Sequence, residues 1–187
     1  MVWSIPTPVL AALGGYLFTY YNTRINEERK ARIERVNDQV RLLYGPLLAC
    51  VTASKSAFTA MVRQHGNGDT ESFVRAAHED PEGPQGQTYR QWMRDVLQPL
   101  NEKAAEIVVK HADMLQSNRM EPLLLQLVAH VSAYRVILAR WAEGEVNEWS
   151  AISYPDALHA YAESEFEKMK QLQADLLGIK NGPRAKL

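Results

Sequence analysis

The chain has 187 residues, of which 46% are hydrophobic and 23% charged, and its formal net charge at pH 7 is −1. This composition is typical of one folded domain, and it excludes both a disordered chain and a protein that crosses a membrane many times. The near-neutral charge argues against nucleic-acid binding, which requires a strongly basic surface. The single cysteine, Cys50, excludes an intramolecular disulfide.

The first 23 residues contain no charged side chain and predict a single-pass membrane anchor over residues 1–23. Aromatic residues stand at both ends, as at membrane–water interfaces, and small residues between them allow a second helix to approach closely. These candidate packing residues are Trp3, Ala11, Gly14, Gly15, Tyr20 and Tyr21. A cleaved export signal and an apolar core helix are the alternatives, since Pro6 and Pro8 shorten the uninterrupted helix.

Positive charge follows the apolar segment directly. Residues 24–64 hold eight Lys or Arg residues against four Asp or Glu residues, whereas no Lys or Arg precedes Arg24. By the positive-inside rule, the part of the chain after the anchor is expected on the cytoplasmic side, or on the matrix or stromal side of an organelle.

A helix is predicted after the anchor, because apolar residues recur every three or four positions from Ile33 to Met61. Gly45-Pro46 interrupts this pattern and predicts a kink. Residues 64–87 contain four glycines and two prolines. We expect them to form a mobile acidic loop around a short helix at residues 71–78.

The second long helix is predicted to start at Thr88, which with Gln91 forms a capping-box pattern. Pro99 is expected to bend this helix. Its predicted inward face carries residues at helical spacing, namely Trp92, Val96, Leu100, Ile107, His111 and Leu115.

Two further helices complete the predicted fold. Pro122 is suited to the first turn of a helix whose broad apolar surface indicates the most buried member of a bundle. The last helix should begin near Pro155-Asp156 and end at Gly178. We therefore expect an all-α protein, an up-down four-helix bundle over residues 24–180, entered from the N-terminal single-pass helix and followed by a basic tail over 181–187.

No catalytic motif is present, and no cofactor or metal is predicted. Three histidines, His111, His130 and His159, fall on three predicted helices, as metal or haem ligands do in some bundles. A hydrogen-bonded histidine at the edge of a core is the simpler interpretation. Trp149 stands in a polar connection, where it either closes the end of the bundle or contacts a partner.

These patterns predict a non-enzymatic accessory or scaffold subunit of a larger membrane protein complex. Its partners would be the lipid bilayer and other membrane subunits, packed at Gly14 and Gly15, in an oligomer or hetero-complex without nucleic acid. The alternative is a membrane-tethered sensor or effector that binds a small ligand, metal or haem through the histidine-bearing helices. That alternative predicts a polar cavity at His111 or His130, whereas a scaffold predicts a dry core.

Overall fold

The computed structural model describes residues 7–66, 68–117 and 119–179. The structure is 81% helical, and no described residue lies in a β-strand, so the predicted all-α class is confirmed. The first residues of the predicted anchor, with Trp3, and the tail 181–187 lie outside the described residues.

Seven α-helices are present in the described part of the chain. In order they are α1 (Thr7–Asp38), α2 (Gly45–His65), α3 (Thr70–Glu79), α4 (Pro84–Trp92), α5 (Gln98–Lys110), α6 (Pro122–Ala142) and α7 (Leu158–Leu177). The described residues form two compact units. One contains the residues up to Asn37 together with those from Gln171 onward, and the other is Asp38–Lys170.

A π-helical turn, Gln39–Tyr44, precedes Pro46. The amide of Gly45 donates to the carbonyl of Val40, five residues earlier rather than four. A proline ring collides with the carbonyl four residues before it in a regular α-helix, and the wider turn is a recognised way to change that spacing. The interruption predicted at Gly45-Pro46 thus takes the form of a π-helical turn that holds one extra residue.

The same arrangement recurs before Pro99. The π-helical turn Met93–Leu97 separates α4 from α5, and the amide of Gln98 donates to the carbonyl of Met93. A π-helical turn thus precedes both Gly45-Pro46 and Gln98-Pro99, although the residue before the proline differs. The predicted bend at Pro99 takes this form.

Helix α4 begins earlier than predicted. Gly83 has extended backbone, and Pro84 occupies the first turn, where its fixed φ angle is suited to a helix and its missing amide costs nothing. Thr88 therefore lies within the helix, and the predicted capping-box start is wrong. The short helix predicted at residues 71–78 is confirmed as α3, which buries Phe73 and Ala77.

The buried face of α4–α5 also differs from the prediction. The fully buried apolar residues there are Met93, Leu97, Ala104, Ala105 and Val108. All six residues predicted for this face are only half-buried, and His111 lies beyond the last residue of α5. The extra residue in the π-helical turn is the physical reason, because one residue rotates a helix face by about 100°.

The core of Asp38–Lys170 has two parts, and α6 contributes to both. The first joins the beginnings of α2, α6 and α7 with the end of α5, around Leu47, Val108 and Leu124. The second joins the end of α2 with α3, the second π-helical turn and the later part of α6, around Met61 and Phe73. Helix α6 begins at Pro122, as predicted, and contributes to both parts, although α5 buries a larger share of its residues.

In the other unit, the end of α7 lies against α1. The guanidinium of Arg29 donates to the carbonyl of Leu176 (3.0 Å), and Gln173 Nε2 donates to Asn37 Oδ1 (2.6 Å). A cation at the C-terminal carbonyls of a helix stabilises it. The helix stops at Gly178, whose φ of +72° favours glycine, as predicted.

Candidate functional site

Every described side chain from Leu13 to Arg32 on α1 is exposed. The large apolar and aromatic residues in this stretch range from 43% exposed at Leu17 to 74% at Phe18. They are Leu13, Tyr16, Leu17, Phe18, Tyr20, Tyr21 and Ile25. Consecutive helical residues point about 100° apart, so the run from Tyr16 to Phe18 alone places large apolar groups around most of the helix.

The small residues of this segment are open as well. A Cβ atom added to Gly14 or Gly15 would meet no described atom within 4 Å. Among the described residues, the ring of Tyr20 lies near two others, those of its helical neighbours Tyr16 (centroids 6.4 Å apart) and Tyr21 (5.7 Å apart). Trp3 and the side chain of Ala11 lie outside the described residues. The role of this surface in packing a partner helix stays a prediction.

Among the described helices, α6 is the one that is long and apolar enough, by length and composition, to cross a membrane. A third of the most apolar 18-residue stretch of α6 is buried inside the fold. Leu124 and Leu127 are fully buried there. A core helix passes the same composition test as a membrane span, and α6 already has a place in the core.

A cavity of about 250 Å³ lies between α2, the second π-helical turn, α5, α6 and the connection to α7. Its apolar wall is formed by Val51, Phe58, Met93 and Leu97. The polar side chains that reach it come from separate helices and from the connection, which explains why no spacing in the sequence indicates them.

His130 is the central polar residue of this cavity. It is buried, and its Nδ1 lies 2.9 Å from the carbonyl oxygen of Ile152. A carbonyl only accepts hydrogen bonds, so Nδ1 carries the proton. Burial lowers the pKa of His130, which keeps the ring neutral near pH 7. Nε2 is then an acceptor without a hydrogen bond among the described residues, and it is not fully buried.

Tyr154 stands beside His130, with ring centroids 5.5 Å apart and nearly perpendicular. Its hydroxyl is buried and has no hydrogen-bond partner among the described residues. Burial, with a smaller effect of the Asp156 charge, raises the pKa of Tyr154 to about 12, so the hydroxyl keeps its proton. On another part of the wall, the Ser54 hydroxyl donates to Asn101 Oδ1 (2.8 Å) in a buried pair.

The three predicted histidines do not form one site. His130 and His159 line the same cavity, whereas His111 lies at the end of α5 and does not reach it. His159 is half-buried, with Nδ1 3.9 Å from Glu163 Oε2. No group of three or more His, Cys, Asp or Glu side chains in the described residues is placed to hold a metal ion.

Trp149 lies within an aromatic cluster of the fold. Its ring stacks on His78 with centroids 3.6 Å apart, and it lies 5.3 Å from Tyr89 and 5.6 Å from Trp141. Trp141 Nε1 donates to the Glu148 carbonyl (2.7 Å), which fixes the connection that carries Trp149. Of the two roles considered for Trp149, closing the end of the bundle has these contacts in its favour, and contact with a partner stays a prediction.

Comparison of the chain with models of protein families, with curated proteins and with solved structures finds no match.

Proposed function

We propose that this protein is a non-enzymatic, membrane-anchored helical subunit that acts through protein contacts, as an accessory or scaffold component of a membrane complex. The N-terminal part of α1 would lie in the bilayer as a single pass. The residues that follow would form an up-down bundle on the cytoplasmic side, or on the matrix or stromal side of an organelle.

The observation that carries the proposal is the exposed apolar surface of α1. Water-exposed helices normally turn their apolar side chains toward a core, whereas the large apolar side chains of this part of α1 face outward and require an apolar medium or partner. The described part of the chain supplies no such cover to Leu17 or Phe18. A bilayer would surround these side chains, and other subunits would pack where Gly14 and Gly15 leave the backbone open.

The residues after this surface support the proposed orientation. Arg24, Arg29 and Lys30 follow Tyr20 and Tyr21 within ten positions. Tyrosines prefer the membrane interface, and basic residues remain on the side from which the chain is not translocated. Arg24 also forms an exposed ion pair with Glu28 (3.0 Å), which keeps this part of α1 compatible with water.

The core contacts support the bundle topology. The beginning of α2 meets the end of α5 and the beginning of α6 in one cluster, as antiparallel neighbours do. Leu158 and Ala162 at the beginning of α7 join the same cluster. These contacts favour an up-down arrangement of α2, α4–α5 and α6, whereas α7 begins beside the beginning of α6 rather than beside its end.

The membrane proposal is tested by placing charge on two exposed apolar surfaces. Leu17→Glu/Phe18→Glu is compared with Val109→Glu, because Val109 on α5 is 64% exposed and Phe18 is 74% exposed. A charged residue near the centre of a membrane helix costs about 3 kcal/mol. We expect the double variant to move from the membrane pellet to the supernatant after carbonate extraction, while Val109→Glu stays in the pellet.

A wild-type chain that remains soluble and monomeric without detergent would contradict the membrane anchor. For the scaffold role, the native protein is purified in mild detergent and its neighbours are identified. We expect membrane proteins to co-purify with the wild type and to be lost when Gly14 and Gly15 are both replaced by leucine. A chain that stays in the membrane but purifies alone would leave the anchor standing and contradict the scaffold role.

A further inference from the structure

We propose that the cavity beside His130 binds a small, neutral, mostly apolar molecule that carries a hydroxyl group. This inference is independent of the membrane proposal, since every residue that lines the cavity lies in Asp38–Lys170. It assigns a ligand class to a site whose residues come from α2, the second π-helical turn, α5, α6 and the α6–α7 connection.

The size of the cavity limits the ligand. A cavity of 150 Å³ in another protein binds benzene, so by proportion one of about 250 Å³ holds about ten non-hydrogen atoms. A single substituted aromatic ring or a short branched alcohol has this size. A nucleotide or a haem is too large.

The chemistry of the wall determines the ligand's body. Val51, Phe58 and Leu97 present apolar surface, and a cluster of waters there would find few of the two to four polar partners that each buried water needs. The charged residues that line the cavity, Lys55 and Asp156, are exposed to solvent. Inside, the polar side chains are neutral, so a charged ligand would lose its hydration without gaining a counter-ion.

The acceptor at His130 Nε2 determines the ligand's functional group. His130 Nε2 offers an acceptor, because Nδ1 already donates to Ile152. The buried hydroxyl of Tyr154 lacks a partner among the described residues. A hydrogen bond contributes about 1 kcal/mol, so a ligand that donates to Nε2 gains about that amount in selectivity. A hydroxyl group is a donor, and it therefore matches this acceptor.

The test uses 4-ethylphenol and 4-ethyltoluene, which have the same size and differ in the hydroxyl. The full-length chain, labelled with ¹⁵N at its five histidines, is titrated in micelles, with free probe concentrations measured by dialysis against empty micelles. His130→Gln identifies the ring signals of His130. We expect 4-ethylphenol to move the Nε2 signal of His130 and to bind about fivefold more tightly than 4-ethyltoluene, the effect of one hydrogen bond.

Matched variants test whether the difference in affinity between the two probes arises at His130. By equilibrium dialysis, His130→Gln should weaken 4-ethylphenol binding about fivefold and leave 4-ethyltoluene unchanged, while His111→Gln, outside the cavity, should change neither. Equal affinities of the two probes, no binding beyond that of empty micelles, or full affinity in a folded His130→Gln variant would overturn the proposal. If His130→Gln fails to fold, the wild-type comparison of the two probes decides.

Discussion

The apolar part of α1 and helix α6 both carry several large apolar residues, but their environments are opposite. Leu124 and Leu127 on α6 are fully buried by neighbouring helices, whereas Phe18 on α1 is 74% exposed. An apolar helix therefore indicates that cover is required, but its composition does not say whether the cover comes from the same chain. For α6 the fold supplies it, and for α1 the described residues do not.

The largest expected difference between the two helices is in folding stability. Leu124→Ala should lower the free energy of unfolding by about 3 kcal/mol, because it removes buried surface and leaves a cavity. Phe18→Ala should change it by less than about 0.5 kcal/mol. Urea unfolding followed by tryptophan fluorescence measures both, since Trp92, Trp141 and Trp149 all lie in Asp38–Lys170. A comparable loss in Phe18→Ala would show that α1 is covered by its own chain.

Gly45 at the start of α2 and Gly15 on α1 extend the comparison from side chains to the backbone. A Cβ atom at Gly45 would lie 2.6 Å from the carbonyl oxygen of Val40, whereas one at Gly15 meets no described atom within 4 Å. Gly45→Ala should therefore cost about 1–3 kcal/mol by urea unfolding. Gly15→Ala should stabilise α1 locally by up to about 1 kcal/mol and slow amide hydrogen exchange there. Faster exchange in Gly15→Ala would indicate that another helix needs the open backbone.

The smallest expected effect concerns pH. Burial lowers the pKa of His130 and of His78, so the unfolded chain binds more protons than the folded chain as the pH falls below about 6.5. Stability contributed by these neutral rings is thus present above about pH 6.5 and lost on acidification. His130→Gln should reduce the difference in urea midpoint between pH 7.5 and pH 5.5.

Phe18→Ala is the control for this pH effect, because residues 13–25 contain no Asp, Glu or His. It should leave the difference in urea midpoint unchanged. A wild-type chain that becomes more stable at pH 5.5 than at pH 7.5, with His130→Gln removing that gain, would contradict the assigned direction.

Local signals in the sequence predict the helix ends that depend on one residue. Pro122 begins α6 and Gly178 ends α7, because a proline amide is not needed in the first turn and a positive φ angle favours glycine. The predicted start at Thr88 is wrong, because α4 begins at Pro84. A capping-box pattern occurs by chance, whereas Pro84 follows extended backbone at Gly83 that only the structure shows.

The cavity and the buried face of α5 depend on tertiary structure and were not predictable in detail. His130 could be recognised as a polar residue on an apolar helix, but its neighbour Tyr154 belongs to a connection 24 positions later. Likewise, the inward face of α5 follows from one extra residue in Met93–Leu97, which changes hydrogen-bond spacing without a distinctive composition.

The π-helical turn before Pro46 makes the number of residues in this part of the helix depend on the presence of the proline. Loss of one residue within Gln39–Tyr44 would convert the turn to a regular α-helix and leave the flanking faces aligned, whereas the same loss within α2 would rotate every later residue by about 100°. The shortened helix would, however, again bring the ring of Pro46 against a carbonyl, at a cost of about 3 kcal/mol. The loss of one residue within the turn is therefore tolerated more readily when Pro46 is also replaced. In related chains, insertions or deletions in this turn are expected to accompany a change of the proline.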